Sequence, residues 1–476
     1  MNYRAMIILG VAFVLSIALR WQGLQPQNEG YHYWLNSHVL TTFQVWEEEG
    51  FSTYQGNLVL NFPGSHNQFI EIPTFSDFFD QEGNLYYTSY PPLGLWVPYA
   101  LHQLFGASAS IASLRIWGLF LLLMCVWVLY ALLRSWDVSE EVALFLSLLY
   151  LFAPGPMYYQ THIYFSEMLA QLWWLLCLWG YGSRRTLGPM KFHFWFWLGL
   201  SFVFVFTEWL GVLAMGCLGV IGLWEKRGLK SLLPLLIGGS LAIVFTLWQY
   251  SQIAGFDALW ETWTQRYLYR GGANINAQAF LEEVILKHPH RMFALLPIMG
   301  LIGLGIQAFR KKLSAPPKLL WLALTPYLLH ALLFRNFSYL HDFSALKSGP
   351  FWILLLAWLM MSVPRVGAKT QIAALILMIG WISFGTQRYY LYSMTDNPES
   401  AIGRSIKEQA PVGIPVFMDQ MPTLPTIYAA QRNVGEGDSL SVQHWLEERG
   451  HSEAVLFHIV HDTVQTMQSI YAREQD

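Results

Sequence analysis

Long apolar runs alternate with short polar connections along most of this chain. The runs fall near 4–20, 113–133, 141–153, 164–182, 192–206, 209–224, 231–250, 292–309, 318–334, 350–363 and 370–387. A helix needs about 20 residues to cross a bilayer, and the longer runs reach that length. The pattern predicts a mainly α, polytopic transmembrane bundle of about eleven spans. The stretch 192–224 is divided at Thr207-Glu208, because a carboxylate at mid-membrane is costly and a turn at the outer surface relieves it. No small-residue cleavage site follows the first run, and Arg20-Trp21 reads as the interfacial anchor of a retained span. Residues 93–105 (LGLWVPYALHQLF) are apolar but short, and read as an interfacial or re-entrant helix.

The connections alternate in charge. One set carries Arg134; Arg184, Arg185 and Lys191; Lys226, Arg227 and Lys230; Arg310, Lys311, Lys312 and Lys318; and Arg365 and Lys369. The positive-inside rule places these in the cytoplasm. The first loop, 21–91, has no Lys or Arg but carries Glu29, Glu47, Glu48, Glu49, Glu71, Asp77, Asp80 and Glu82, so it is placed outside. The expected topology is a cytoplasmic N-terminus and an external C-terminus. Past Arg388 the apolar runs stop. In 389–476, GIPVFMDQ (413–420) and AVLFHIV (454–460) read as strands, and 441–450 and 462–475 as helices. The organisation expected is a transmembrane domain over 1–388 and a small external α/β domain over 389–476.

Composition agrees with the membrane reading. Hydrophobic residues make up 54% of the 476 and charged residues 12%, about half the charge of a soluble domain. The 22 Trp suit interfacial belts. A net charge of −3 gives no indication of a nucleic-acid partner, and membrane lipids are the expected surroundings. Cys125, Cys177 and Cys217 lie in apolar runs at no metal-like spacing. The absence of a P-loop, a Rossmann glycine fingerprint or a zincin motif argues against a nucleotide-driven pump.

Three sets of residues carry candidate chemistry. Just after the first run, Glu29, His32 and Asn36 fall at i, i+3 and i+7, as on one helical face, with His38 nearby. A carboxylate beside imidazoles suits deprotonation of a hydroxyl, and would equally suit a divalent cation. In the second set, Tyr86–Gly94, an aromatic cluster with Tyr90 precedes Pro91-Pro92, where two prolines set an extended backbone before a helix. The third set comprises polar groups on the outer side: Arg115, His162, Glu167, Glu208, Arg266, Arg270, Arg335, His341, Asp342 and Lys347. Cations there run against the charge rule and invite an anionic partner such as a lipid phosphate.

This order of features resembles the membrane-embedded glycosyltransferases of the GT-C superfamily, which include protein O-mannosyltransferases and aminoarabinose transferases. The matching positions are Asn28-Glu29 for the acidic pair of the first loop, Ser89–Gly94 for the proline motif, Phe165-Ser166-Glu167, and Tyr339–Phe343. The family's first acidic position is Asn28 here, and an amide is no base, so the role passes to Glu29 with His32 or His38. The resemblance implies an inverting transfer of a sugar from a polyprenyl-phosphate donor to a glycan, lipid or protein acceptor outside a bacterial inner membrane. Asn28, Tyr90, Pro91, Glu167, Arg266, Arg270, Arg335, His341 and Lys347 would bind substrate, the cations stabilising the leaving phosphate. The competing readings are a lipid-linked glycan polymerase, ligase or flippase, and a non-catalytic member of a polysaccharide assembly complex.

Overall fold

The computed structural model describes residues 3–71, 78–183, 190–225, 229–272, 275–309, 317–361 and 368–472. Asp77 and the cations Arg184, Arg185, Lys226, Arg227, Arg310, Lys311, Lys312 and Arg365, on which the expected orientation partly rests, lie outside these residues. The chain is mainly helical and divides into two compact units. One comprises Met1–Asn28, Leu114–Thr246 and Tyr267–Met394; the other comprises Glu29–Ser113, Leu247–Arg266 and Thr395–Asp476.

Among the described residues, each apolar run is largely helical. Tyr3–Arg20, Ile111–Ser135, Leu232–Ala254 and Asp342–Met361 are the four described helices long and apolar enough to cross a membrane by themselves. A fifth crossing is possible if Ala277–Phe293 and Leu296–Phe309, bent by 110°, count as one broken span. Eleven full spans are therefore not established. The bend falls where Ala294 adopts a φ of +46°, a left-handed conformation that interrupts the helix.

In the first unit, small residues allow close helix contact, the usual device where no water drives association. A Cβ at Gly385 would lie 2.2 Å from the carbonyl oxygen of Phe152, so only glycine lets the helix Ala368–Ser393 approach there. Trp381 Nε1 donates to Leu149 O (2.9 Å) on the same face. Arg20 is fully buried rather than anchored at an interface. Its guanidinium donates to Ser16 O (2.8 Å) and Oγ (3.0 Å) in its own helix, to Thr161 Oγ1 (2.8 Å), and to Met157 O (2.6 Å), a carbonyl near the end of the helix Pro154–Tyr159. Only Trp21, 63% exposed, fits an interfacial role.

The second unit joins the first loop to the C-terminal segment. The helix Trp34–Glu49 packs on Leu424–Ala430. Asn433 ties the two segments further: its backbone N–H and Nδ2 donate to Asn67 Oδ1 and O (both 2.8 Å), and its Oδ1 accepts from Phe62 N (3.1 Å). The C-terminal segment holds a four-stranded sheet of order β2-β1-β3-β4, formed by β1 (Val416–Met418), β2 (Gly435–Glu436), β3 (Glu453–Val460) and β4 (Thr463–Tyr471). β1 runs parallel to β2 and β3, and β4 antiparallel to β3. The helix Ser439–Arg449 covers the sheet through Val442 and Leu446, which meet Phe417, Leu456 and Ile470.

Residues 462–475 were expected to be helical, but β4 takes most of them. His461 and Asp462 both have positive φ (49° and 58°), which makes a tight two-residue hairpin turn matching strand twist. Val460 then pairs with Thr463. The β-branched residues Thr463, Val464, Thr466 and Ile470 suit the strand that follows.

Candidate active site

The segment after the first helix does not continue as a helix. Gly30 and His32 both have positive φ (78° and 59°), and the next helix starts only at Trp34. Glu29, His32 and Asn36 therefore share no helical face, contrary to expectation. Glu29 instead stands in the second unit against Arg404, with Oε1 3.3 Å from Nη1; its side chain is 17% exposed and that of Arg404 58%. Asn397 Nδ2 donates to Gly30 O (2.9 Å) and fixes the same bend from the C-terminal segment. His32 Nδ1 accepts from Trp34 Nε1 (3.1 Å).

His38 lies buried inside the helix Trp34–Glu49, edge-on to Tyr87 at 4.4 Å. Burial, reinforced by the nearby Arg266 charge, lowers its pKa to about 3, so it is a neutral, weakly basic imidazole at neutral pH. Arg266 lies over the Tyr87 ring (5.0 Å) and donates to Ser89 Oγ. Tyr87 stacks with Tyr90 (6.2 Å), Tyr250 donates to Tyr90 O, and Trp263 donates to Thr88 O (3.0 Å). The tyrosine-proline motif is thus clamped from behind, and it gathers His38, Tyr90 and Arg266 as one group. Pro91 and Pro92 lead directly into the helix Leu93–Leu104, and Pro92 already has helical backbone angles.

In the first unit a second group forms around the buried ring of Phe337. Arg270 lies 5.3 Å and Lys347 Nζ 5.8 Å from its centroid, with the His341 ring at 4.8 Å and the His330 ring at 6.1 Å. Three of the expected phosphate-binding residues, Arg270, His341 and Lys347, are thus collected around one aromatic ring. Lys347 is engaged further: Nζ is 3.1 Å from Glu208 Oε1 and 2.7 Å from His330 Nε2, and His330 Nε2 is 3.4 Å from Glu208 Oε1. Arg335 lies over Phe280 (5.4 Å) and donates to Ile275 O (3.0 Å). Asp342 Oδ1 accepts from Tyr159 (2.7 Å). Glu167 is buried in the first turn of Ser166–Gly182, where the positive end of the helix favours a carboxylate.

Asn28 Nδ2 donates to Gln22 O (2.6 Å). Arg115 gathers the carbonyls of Leu24 (3.1 Å), Gln25 and Asn28 and approaches His162 Nε2 (3.0 Å), so its charge serves this loop. His330 and Arg404 were not singled out in the sequence. Their partners lie far away along the chain, and local pattern carries no signal of such pairing. Among the described residues, no three His, Cys, Asp or Glu side chains are grouped to hold a metal ion.

No protein-family model matches the chain, and no curated protein matches it in sequence. Solved structures do match. An oligosaccharyltransferase, AglB from Archaeoglobus fulgidus, in complex with an inhibitory peptide and a dolichol-phosphate, matches over 96% of this chain and 69% of its own, at 12% identity and a TM-score of 0.56. ArnT from Cupriavidus metallidurans bound to undecaprenyl phosphate matches over 88% and 92%, at 14% identity and a TM-score of 0.55. The arabinofuranosyltransferase AftD from Mycobacteria matches over 96% of this chain but 35% of its own, at 15% identity and a TM-score of 0.53. At such low identity the likeness is one of architecture: this chain has a GT-C-like fold.

Proposed function

We propose that this protein is an inverting membrane glycosyltransferase that moves a sugar from a polyprenyl-phosphate donor to a cell-surface acceptor on the external side. The observation that carries the proposal is the likeness in fold, over 88% of the chain, to a protein captured with undecaprenyl phosphate. A second fold neighbour was captured with dolichol-phosphate. A carboxylate, Glu29, follows the first apolar helix, one residue past Asn28, which stands where the resembled family has its first acidic residue.

In this reading Glu29 takes the proton of an acceptor hydroxyl as its oxygen attacks the anomeric carbon. The bond from that carbon to the phosphate oxygen breaks, the configuration inverts, and the polyprenyl phosphate leaves with the electron pair. Arg404 orients the Glu29 carboxylate. His38, held at a pKa of about 3, would accept a proton poorly near neutral pH, and is not assigned the base role. Within the first unit, Arg270 and His341 beside Phe337 suit an anionic phosphate. Lys347 contributes less, since Glu208 already balances its charge.

The test is sugar transfer by purified protein from a panel of polyprenyl-phosphate sugars, comparing wild type with Glu29→Gln. Loss of a general base typically costs about 10²–10⁴-fold in rate. Wild-type turnover in Glu29→Gln would remove Glu29 from the mechanism. Absence of transfer from every donor by folded wild-type protein would overturn the enzyme reading.

A further inference from the structure

The second unit contains an open cleft of about 310 Å³ to which the steps above assign no role. One wall is a short pairing of backbone, in which Leu60 N donates to Leu85 O (2.9 Å), Tyr87 N to Leu58 O (2.8 Å) and Tyr86 N to Phe78 O (3.0 Å). Asp80 makes that wall rigid. Its Oδ1 accepts from the backbone N–H groups of Glu82 and Asn84 (both 2.9 Å), and its Oδ2 accepts from Asn84 Nδ2 (3.0 Å) and Tyr86 OH (2.9 Å). Across the cleft, Tyr54 donates to Glu49 Oε2 (3.2 Å). Burial, added to by these carboxylates, raises the pKa of both tyrosines, so they stay neutral phenols.

The chemistry of the lining is selective. Glu49, Asp80 and Glu82 supply acceptors, and the amides of Asn57, Gln68 and Gln252 supply donors and acceptors together. Among the described lining residues there is no Lys, Arg or His. An anionic group, including the phosphate of a lipid donor, would meet three carboxylates and no cation. Behind the wall, Gln249 is 3% exposed and donates to Gln55 O (3.2 Å) and Asn57 Oδ1 (3.0 Å). A concave, preorganised surface of carboxylates, amides and phenols matches the dense hydroxyls of a sugar, and the volume holds one or two sugar residues.

We propose that this cleft binds a stretch of a non-acidic glycan, as a subsite for the acceptor away from the reacting hydroxyl. The word acceptor rests on the glycosyltransferase reading; the binding does not. The test is calorimetric titration of detergent-purified full-length protein with chitotetraose, maltotetraose and, as the anionic probe, a heparin tetrasaccharide. Gln68→Leu/Gln252→Leu is the cleft variant, since both side chains lie at the rim and outside the reaction steps. At least one neutral probe should bind wild type, should bind the cleft variant about tenfold more weakly, and should outcompete the anionic probe. The inference is overturned if neither neutral probe binds, if the heparin fragment binds as well as they do, or if the cleft variant binds like wild type. A protein that binds glycan but transfers no sugar overturns the proposed reaction and leaves the cleft standing; one that transfers but does not bind does the reverse.

Discussion

Lys347→Met isolates one buried charge and measures what the group around Glu208 is for. In the wild type the Lys347 and Glu208 side chains are 3% and 1% exposed and 3.1 Å apart, so water screens neither. Removing the ammonium leaves Glu208 with Leu210 N (2.7 Å) and the His330 ring as neighbours, too little to compensate a buried carboxylate. Breaking a buried pair from one side typically costs about 3–5 kcal/mol. Glu208→Gln/Lys347→Met removes both charges, and the burial cost with them, so it should recover most of that loss. The expected coupling between the two sites is roughly 2–3 kcal/mol. The assay is fluorescence-monitored unfolding of wild type, both single variants and the double variant in the same detergent. Additive single-variant effects would refute the pairing. The same four proteins also separate two roles for Lys347: a structural counter-ion predicts that the double variant regains transfer along with stability, whereas a direct ligand of the donor phosphate predicts that it regains stability alone.

Two further predictions concern the second unit. His38 is held neutral at a pKa of about 3, against 6.5 when unfolded, so between those values the unfolded chain binds more protons. Stability is therefore fully present above about pH 6.5 and falls by about 1.4 kcal/mol per pH unit as the pH drops below it; denaturant titrations at several pH values should show this slope, and His38→Phe should flatten it. The β3–β4 turn places His461 and Asp462 at positive φ, so His461→Asn/Asp462→Gly should relieve left-handed strain and stabilise this unit by roughly 1 kcal/mol after glycine's entropy cost, read as slower amide exchange in β3 and β4; faster exchange would refute the turn assignment.

Local features were legible in the sequence, and long-range pairings were not. Apolar periodicity located every helix of the first unit that an apolar run encodes, because a bilayer-sized run imposes its own hydrogen bonding. The strand Glu453–Val460 was equally plain, since AVLFHIV is apolar but for His458. β4 was misread because polar Gln465, Thr466 and Gln468 hide a strand whose cue is the two-residue turn before it. Arg20 looked like an interfacial anchor because a terminal arginine reads the same whether it meets lipid headgroups or the carbonyl of Met157, 137 residues away. The Glu29–Arg404 pair spans 375 positions and Glu208–Lys347 spans 139; no local pattern encodes either. Charge type alone put Arg266, Arg270, Arg335, His341 and Lys347 in one candidate set; the structure brings Arg270, His341 and Lys347 to the Phe337 ring, and sets Arg266 on Tyr87 and Arg335 on Phe280.

The departure at Asn28 now has a physical account. Its amide donates to Gln22 O and its own carbonyl accepts from Arg115, which also holds the carbonyls of Leu24 and Gln25. Asn28 thus works as a staple that closes the turn leading to Glu29. An aspartate could not make the Gln22 contact, because an ionised carboxylate has no proton to donate and would face a carbonyl oxygen at hydrogen-bond distance. Restoring the acid of the resembled family should accordingly weaken this protein. Asn28→Asp should lower transfer several-fold, whereas Asn28→Ser, which keeps a donor, should lose less. Initial rates for the two variants with a saturating polyprenyl-phosphate sugar decide the matter. A gain of activity in Asn28→Asp would mean that the reacting hydroxyl lies opposite residue 28 and would take the base role away from Glu29.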